Sequence, residues 1–532
     1  MPPRGTSYPR DEPWWRSAVV YQIYPRSFAD GSGDGIGDLA GLRAKLEHLA
    51  WVGVDAVWLS PIFSSPMFDF GYDVSDYCAV DPVFGTLDEI DALIAEAHEL
   101  HIRVLLDWVP NHTSHEHPWF VESRSSRDNP KRSWYVWRDP RADGGPPNNW
   151  TAAFTDATAW ELDPRTEQAY LHLFLPEQPD LNWADPALEA AMHDVLRFWL
   201  GRGIDGFRMD VIHCIGKDPA LPDDPPEWVG VPHTAINDVA ETHPLLRRIR
   251  GVLDSYDGDR VSIGEVFLAY DNATVTERTV EYLGDGDELH LAFDFAPLRT
   301  SWKAASFRRR IEAIEAAYTG ARWPTWVLSN HDNPRHRTRY GATEARARAA
   351  AVLLLTLRGT PFLYAGEELG LEDAAVPDDR VVDPGGRDGC RAPIPWSRAA
   401  PHGWDGEAPW LPFSPDPAGR SVETLRADPG SILHLYRRLI AVRRASPALS
   451  LGSMSLLAEL DGVVAFERSS GADRRVVAVN FTGDERRVEL PVSAGAIVEV
   501  ASDGKGEGRQ LTPDDARWFV VGPDQAVVLA PA

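Results

Sequence analysis

The sequence predicts an α/β protein: a (β/α)8 TIM barrel with an inserted domain after strand three and a C-terminal antiparallel β-domain. Three observations carry this. Eight short apolar, β-branched runs alternate with amphipathic helical stretches, the pattern of a parallel barrel. A segment rich in Pro, Trp, Asp and Asn interrupts that alternation after the third run. Beyond residue 450 the texture changes to short alternating strands.

In chain order the eight runs are VVYQIYPRSF from Val19, VDAVWLSPI from Val54, IRVLLDWVPN from Ile102 and IDGFRMDVI from Ile204, then RVSIGEVF from Arg260, ELHLAFDF from Glu288, TWVLSNHD from Thr325 and TPFLYAGEELG from Thr360. Between them, Leu87, Ile90, Ile94 and Ala97 recur at helical spacing. Leu39–Leu49, Pro186–Leu200, Phe307–Tyr318 and Ala342–Leu357 read the same way, and Ser431–Ala445 is the last helix expected. The expected organisation is barrel over 1–112, inserted domain over 113–178, barrel again over 179–450 and β-domain over 451–532. Residues 213–258 and 371–429 are Pro/Gly/Asp-rich and are expected as long loops over the barrel mouth.

Composition narrows the function. With 43% hydrophobic and 25% charged residues the chain is ordinary globular material. Its 53 basic against 80 acidic residues give a net charge of −27, which argues against nucleic acid and anionic membrane and for a neutral partner. Twenty Trp supply aromatic platforms that suit sugar faces. Three scattered Cys (Cys78, Cys214, Cys390) imply no disulfide framework, and no leader-like or spanning apolar run occurs, so a cytoplasmic location is expected. Monomer and homodimer both stay open.

The chemistry concentrates where a barrel carries its active site, at the C-terminal ends of the strands. Strand three ends in Asp107, then Asn111 and His112; strand four in Arg208 and Asp210; strand five in Glu265; strand seven in His331 and Asp332. No zinc-type Cys/His spacing and no phosphate-cradling glycine loop accompanies these acids, so no organic cofactor is expected. Converging carboxylates then point to acid/base and nucleophilic work on an uncharged substrate, with glycoside hydrolysis the natural candidate. Arg208, two residues before Asp210 and on the same strand face, is expected to hold Asp210 ionised. Glu265, between apolar Ile263 and Val266, is expected to have the raised pKa of a general acid.

DWVPNH (107–112), GFRMDVI (206–212), IGEVF (263–267) and LSNHD (328–332) resemble, in order, the signature regions of glycoside hydrolase family 13, the α-amylase family. QPDLNW (178–183) resembles the extra region of its oligo-1,6-glucosidase and α-glucosidase branch, and the chain is most similar to bacterial, actinobacterial-type α-glucosidases. The resemblance implies a retaining exo-α-glucosidase with Asp210 as nucleophile, Glu265 as acid/base and Asp332 as stabiliser. Arg208, His112 and His331 would line the glucose subsite, with Asp107 supporting it. Asp69, Tyr72 and Phe174 match positions that bind and wall the terminal sugar. Arg391 matches an arginine that pairs with Asp69, although Ala392 replaces the usual Thr and Arg387 lies close by. Val211 matches a position where Val accompanies α-1,6 activity.

Asp30, Ser32, Asp34, Ile36 and Asp38 alternate with glycines, as in the first nine positions of an EF-hand loop, though Gly41 stands where the closing Glu would be. The resemblance implies a structural calcium ion on these five residues, with Ser32 in place of the usual Asn. The runner-up activity is a transglucosylase or isomerase on the same scaffold, of the sucrose isomerase or trehalose synthase type. The Arg-Leu-Asp-Arg-Asp string of sucrose isomerases is missing; FAPLRTSWK occupies the stretch after strand six.

Overall fold

A computed structural model describes residues 12–155, 157–269, 274–492 and 494–531. Residues 1–11, which begin the stretch read for a leader, lie outside the described residues. The eight expected runs form one parallel sheet of strands β1 (Val20–Ile23), β2 (Ala56–Leu59), β3 (Arg103–Trp108), β4 (Gly206–Met209), β5 (Val261–Glu265), β6 (Leu291–Phe293), β7 (Thr325–Val327) and β8 (Thr360–Tyr364). Neighbours pair in barrel order from β6 back through β1 to β8 and β7, for example Val20↔Ala56, Ala56↔Arg103 and Val20↔Phe362. At the β6–β7 seam the Thr325 hydroxyl donates to the Ala292 carbonyl at 2.9 Å.

Side chains buried on both faces of these strands explain their unbroken apolar character. Inward-facing Val20, Trp58, Leu105, Ile263, Phe293 and Phe362 fill the barrel. Gly206 has φ +156, and a Cβ there would lie 2.1 Å from the Val261 carbonyl oxygen, so only glycine lets β4 approach β5.

Helices wrap the outside where local chemistry starts them. Leu87–Glu99 opens on a capping box of Thr86 and Glu89, and Pro186–Gly201 opens on Asp185 with Pro at its first position. The stretch expected as Leu39–Leu49 is two helices, Leu39–Arg43 and Leu46–Val52, because the chain tightens at Ala44, whose N–H bonds both Ala40 and Leu42 carbonyls. Residues 213–258 are not all loop. Thr242–Asp254 is a helix that buries Leu245, Leu246, Ile249, Val252 and Leu253, a helical period that the flanking Pro and Asp obscured. A shorter helix, Val422–Ala427, likewise interrupts 371–429.

The segment after β3 carries a three-stranded antiparallel sheet, Trp137–Arg138, Gln168–Leu171 and Trp160–Asp163. Its core of Trp150, Trp160, Leu171 and Leu173 is shared with Val211, Cys214 and Leu221, so the insert packs directly on the chain that follows β4. The C-terminal strands form a six-stranded antiparallel sheet from Ser453–Leu456 to Gln510–Leu511, with Arg486–Glu489 and Trp518–Val521 paired separately. Buried Arg443 and Arg468 bond carbonyls at the end of helix Glu344–Thr356, including Leu355 and Thr356, which seats this sheet on the barrel. Among the described residues no helix is long and apolar enough to cross a membrane.

Candidate active site

The strand ends bring four of the expected residues into one ion cluster. Arg208 Nη1 donates to Asp107 Oδ1 and to Asp210 Oδ1, each at 2.7 Å, and its Nη2 donates to Glu265 Oε2. Asp107 is walled in by donors, Trp58 Nε1 at 3.2 Å and the Tyr72 hydroxyl at 3.1 Å. Glu265 Oε2 also accepts the Val211 N–H at 3.2 Å, so its carboxylate faces charge and donors rather than the apolar surroundings expected from Ile263 and Val266.

One guanidinium serves three carboxylates here, which corrects the expectation that Arg208 simply keeps Asp210 ionised. Burial pushes Asp210 well above the usual carboxylate range; Arg208 pulls it down, but Glu265 and Asp107 push it up again. Burial likewise pushes Asp107 up to about 7 against the pull of Arg208. Negative charge is thus in surplus around Arg208, with three carboxylates on one guanidinium.

A second charge cluster lines the same cavity. Arg387 spreads its fork over three acids: Nη2 donates to Asp69 Oδ1 at 2.7 Å, Nη1 to Asp332 Oδ1 at 3.0 Å and Nε to Asp383 Oδ2 at 2.9 Å. This corrects the pairing expected for Arg391. Fully buried Arg391 lies behind the wall, bonded to the His331 carbonyl at 2.8 Å, Asp383 at 3.1 Å and Asp332 at 3.2 Å. Arg387 precedes and Arg391 ends a 3-10 turn, Asp388–Arg391, which sends one side chain to the cavity and the other behind it.

Burial alone would raise Asp332, but His331, Arg387 and Arg391 outweigh it and hold that carboxyl well below the usual range. Since burial pushes His331 down to about 3, the imidazole is neutral at neutral pH and the two guanidiniums carry that effect. Tyr72 and His331 stack with ring centroids 5.5 Å apart and planes 7° apart. Burial pushes His112 down to about 4. Its Nε2 sits 3.2 Å from Gln178 Nε2, which also donates to Asp69, and its ring packs 5.0 Å from Phe174.

These groups surround a cavity of about 310 Å3 lined by Asp69, Tyr72, His112, Phe174, Asp210, Glu265, Asp332 and Arg387. The cavity's other wall is Val211, His213, Thr234, Phe267, Phe295, Leu298 and Arg299. That volume suits a small ligand that meets charged and hydrogen-bonding groups together with aromatic and aliphatic ones. Sequence reading missed most of the second wall. Phe267 stands two residues past Glu265 and was within reach; Thr234 and Leu298 lie on loops whose spacing carries no signal.

The Asp30–Asp38 loop lies apart from this cavity. Asp30 accepts the N–H groups of Ser32, Gly33 and Gly35, and Asp38 those of Gly31, Ser32 and Gly41. Asp34 accepts that of Ile36. The oxygen donors suit a hard cation, but the carboxylates are turned onto their own loop, and among the described residues no three acidic, His or Cys side chains gather as a metal-binding group.

The barrel coincides with what comparison with known proteins finds. The model of the α-amylase catalytic domain matches residues 22–452. The chain belongs to the α-amylase family. It is a glycoside hydrolase, 44% identical over 514 residues to a probable α-glucosidase of Rhizobium meliloti (strain 1021), covering 91% of this chain and 92% of that one. It is 36% identical over 526 residues to an oligo-1,6-glucosidase of Parageobacillus thermoglucosidasius, covering 90% and 92%. Among solved structures it is similar to the α-glucosyl transfer enzyme XgtA, with a TM-score of 0.89, 40% identity and coverage of 98% and 100%.

Proposed function

We propose that this family member is a retaining, exo-acting α-glucosidase that releases α-glucose from the non-reducing end of short α-glucosides of the maltose and isomaltose type. The observation that carries the reading is the Arg387 fork across Asp69 and Asp332 in the cavity wall. As a closure of the glucose subsite it would leave no room for a further sugar beyond the first glucose. The names of the relatives, α-glucosidase and oligo-1,6-glucosidase, agree with it.

In this reading the reaction starts with Glu265 as the acid and Asp210 as the nucleophile. Asp210 attacks the anomeric carbon while Glu265 protonates the glycosidic oxygen and the aglycone leaves. A water, deprotonated by Glu265, then breaks the glucosyl-Asp210 ester, releasing α-glucose and returning Glu265 to its acid form. Asp332, ionised throughout, accepts hydrogen bonds from the sugar hydroxyls, and these tighten as positive charge develops on the ring. Sugar release from maltose, isomaltose, sucrose and trehalose in parallel, with product chromatography, tests the reading. Rapid viscosity loss of soluble starch, which reports internal cuts, would overturn exo action. Similarity to XgtA favours a second reading, glucosyl transfer, in which an acceptor hydroxyl replaces water at the second step; oligosaccharide products growing with sugar concentration would select it.

Linkage choice is assigned in part to Val211, which lines the cavity directly after Asp210 and holds φ +34 with its N–H on Glu265. Thr has the same branching, so Val211→Thr keeps the turn and exchanges a methyl for a hydroxyl beside the aglycone. The maltose-to-isomaltose ratio of kcat/KM should rise, by a factor worth about 1–3 kcal/mol at most. An unchanged ratio would assign linkage to the surrounding loops.

A structural calcium ion on Asp30, Ser32, Asp34, Ile36 and Asp38 is part of the same reading and requires the carboxylates to turn from their amides toward the ion. Chelation should then lower Tm more than it lowers rate at moderate temperature, since an ion bound only by the folded chain adds stability by mass action. If chelator and added calcium both leave Tm unchanged and metal analysis finds no ion, the loop is a self-bonded turn. A cytoplasmic enzyme completes the reading, supported by Cys78, Cys214 and Cys390 all being free thiols, and cell fractionation checks it.

A further inference from the structure

No motif singled out His213, which stands three residues after Asp210, yet it is fully buried and lines the same cavity as Glu265 and Thr234. Its imidazole spans two main-chain carbonyls: Nε2 lies 2.8 Å from the Thr234 oxygen and Nδ1 lies 3.3 Å from the Glu265 oxygen. Its own carbonyl accepts from Asn237 Nδ2 at 3.1 Å and from the Thr242 hydroxyl at 3.2 Å. Burial pushes the imidazole pKa down, so the ring is neutral at neutral pH and carries one N–H. The shorter contact assigns that N–H to Nε2, donated to Thr234.

Thr234 belongs to a segment that the inserted domain grips. The His233 N–H donates to the Thr151 carbonyl at 2.9 Å, and the His233 ring stacks on Trp150 with centroids 3.5 Å apart. Trp150 Nε1 donates to the Pro222 carbonyl at 2.8 Å. The Ala269 N–H donates to the Ala235 carbonyl at 2.7 Å, which ties the same segment to the chain after Glu265. Three parts of the molecule therefore meet at His213: the insert with its loop, the turn after the nucleophile and the end of β5.

An acid catalyst must reach the glycosidic oxygen, so the wall beside Glu265 and away from the Asp69–Arg387 closure faces the leaving group. We propose that His213 is a positioning residue that registers this aglycone-side wall, Thr234 and the insert behind it, with the strand end that carries Glu265, and so sets how the leaving group is gripped. The inference rests on the reading of Glu265 as acid/base. His213 acts through its hydrogen bond to the Thr234 carbonyl and through the turn that carries it, whose Val211 N–H bonds Glu265. Its Nδ1, an acceptor only, packs on the Glu265 carbonyl without a hydrogen bond, and the residue does not act on the reacting atoms.

The test compares two substrates that share the glucose and differ in what leaves. Maltose leaves a sugar that must be gripped by the wall; α-glucosyl fluoride leaves only fluoride. His213→Ala and His213→Asn should lower kcat/KM on maltose by about tenfold to a hundredfold, mainly through KM, and on the fluoride by no more than about threefold. His213→Gln, whose longer amide reaches the place of Nε2, should recover most of the maltose activity. Partial misfolding lowers both substrates together and leaves their ratio unchanged, and Tm of each variant reports it independently. Equal losses on both substrates, no loss on maltose, or recovery by Asn but not by Gln would overturn the proposal. Glu265→Gln on maltose tests the underlying assignment separately: retained activity there would overturn that reading whatever the His213 ratios show.

Discussion

Asp210→Ala and Glu265→Gln should each lower kcat on maltose by about a thousandfold or more while KM changes little, because each removes a group that acts at the reacting bond. The geometry sharpens this in one respect. Asp210 and Glu265 share Arg208, so each substitution also changes the charge that its partner faces. Glu265→Gln removes the proton donor but leaves Asp210 as nucleophile, and an aryl glucoside whose leaving group needs no protonation should recover much of the first step. Asp210→Ala has no such rescue. A variant keeping more than about a tenth of the wild-type kcat on maltose would mean that the role belongs to another residue. Circular dichroism and Tm should show both variants folded, since Arg208 keeps two of its three acids.

The second large effect separates the two arginines. Arg387→Ala removes a fork that touches Asp69, Asp332 and Asp383 at the cavity wall, leaving Asp69 buried without its cation. Truncating one partner of a buried charge pair costs about 2–5 kcal/mol, so kcat/KM on maltose should fall by roughly two to three orders of magnitude, with the protein still folded. Arg387→Lys should recover little, because an ammonium cannot reproduce the fork. Arg391→Ala should instead strike stability. It strips one of the two cations from buried Asp383 and the donor from the His331 carbonyl, a loss that a Tm measurement would show. If Arg387→Ala unfolds the protein and Arg391→Ala leaves it stable but inactive, the expected pairing of Arg391 with the sugar pocket would be the correct one after all.

Much of this molecule is written in short-range pattern. Every barrel strand falls within the run expected for it, because a strand buried on both faces needs a nearly continuous apolar stretch wherever it sits in the barrel. The acids are legible for a related reason: a carboxylate directly after such a run has little to do in a core, and barrel topology carries all strand ends to one mouth. Asp107, Arg208, Asp210 and Glu265 meet as that argument requires. Helix Thr242–Asp254 was legible in principle, but its apolar period was hidden among Pro and Asp neighbours.

Tertiary packing decided the rest, and the reason is distance along the chain. Arg387 and Arg391 have the same chemistry at one short turn, and only the way residues 371–429 fold back onto the chain after β7 puts Arg387 at the cavity, paired with Asp69. His213 and Thr234 are 21 positions apart and meet because the insert, whose core includes Val211 and Cys214, presses that loop onto the nucleophile turn. Protonation is collective in the same way. Arg208 beside Asp210 predicts an ionised acid when two residues are considered, yet burial and two further carboxylates brought in by β3 and β5 reverse that balance. Local sequence thus sets which groups reach the barrel mouth, whereas burial and the sum of long-range charges set what each of them does there.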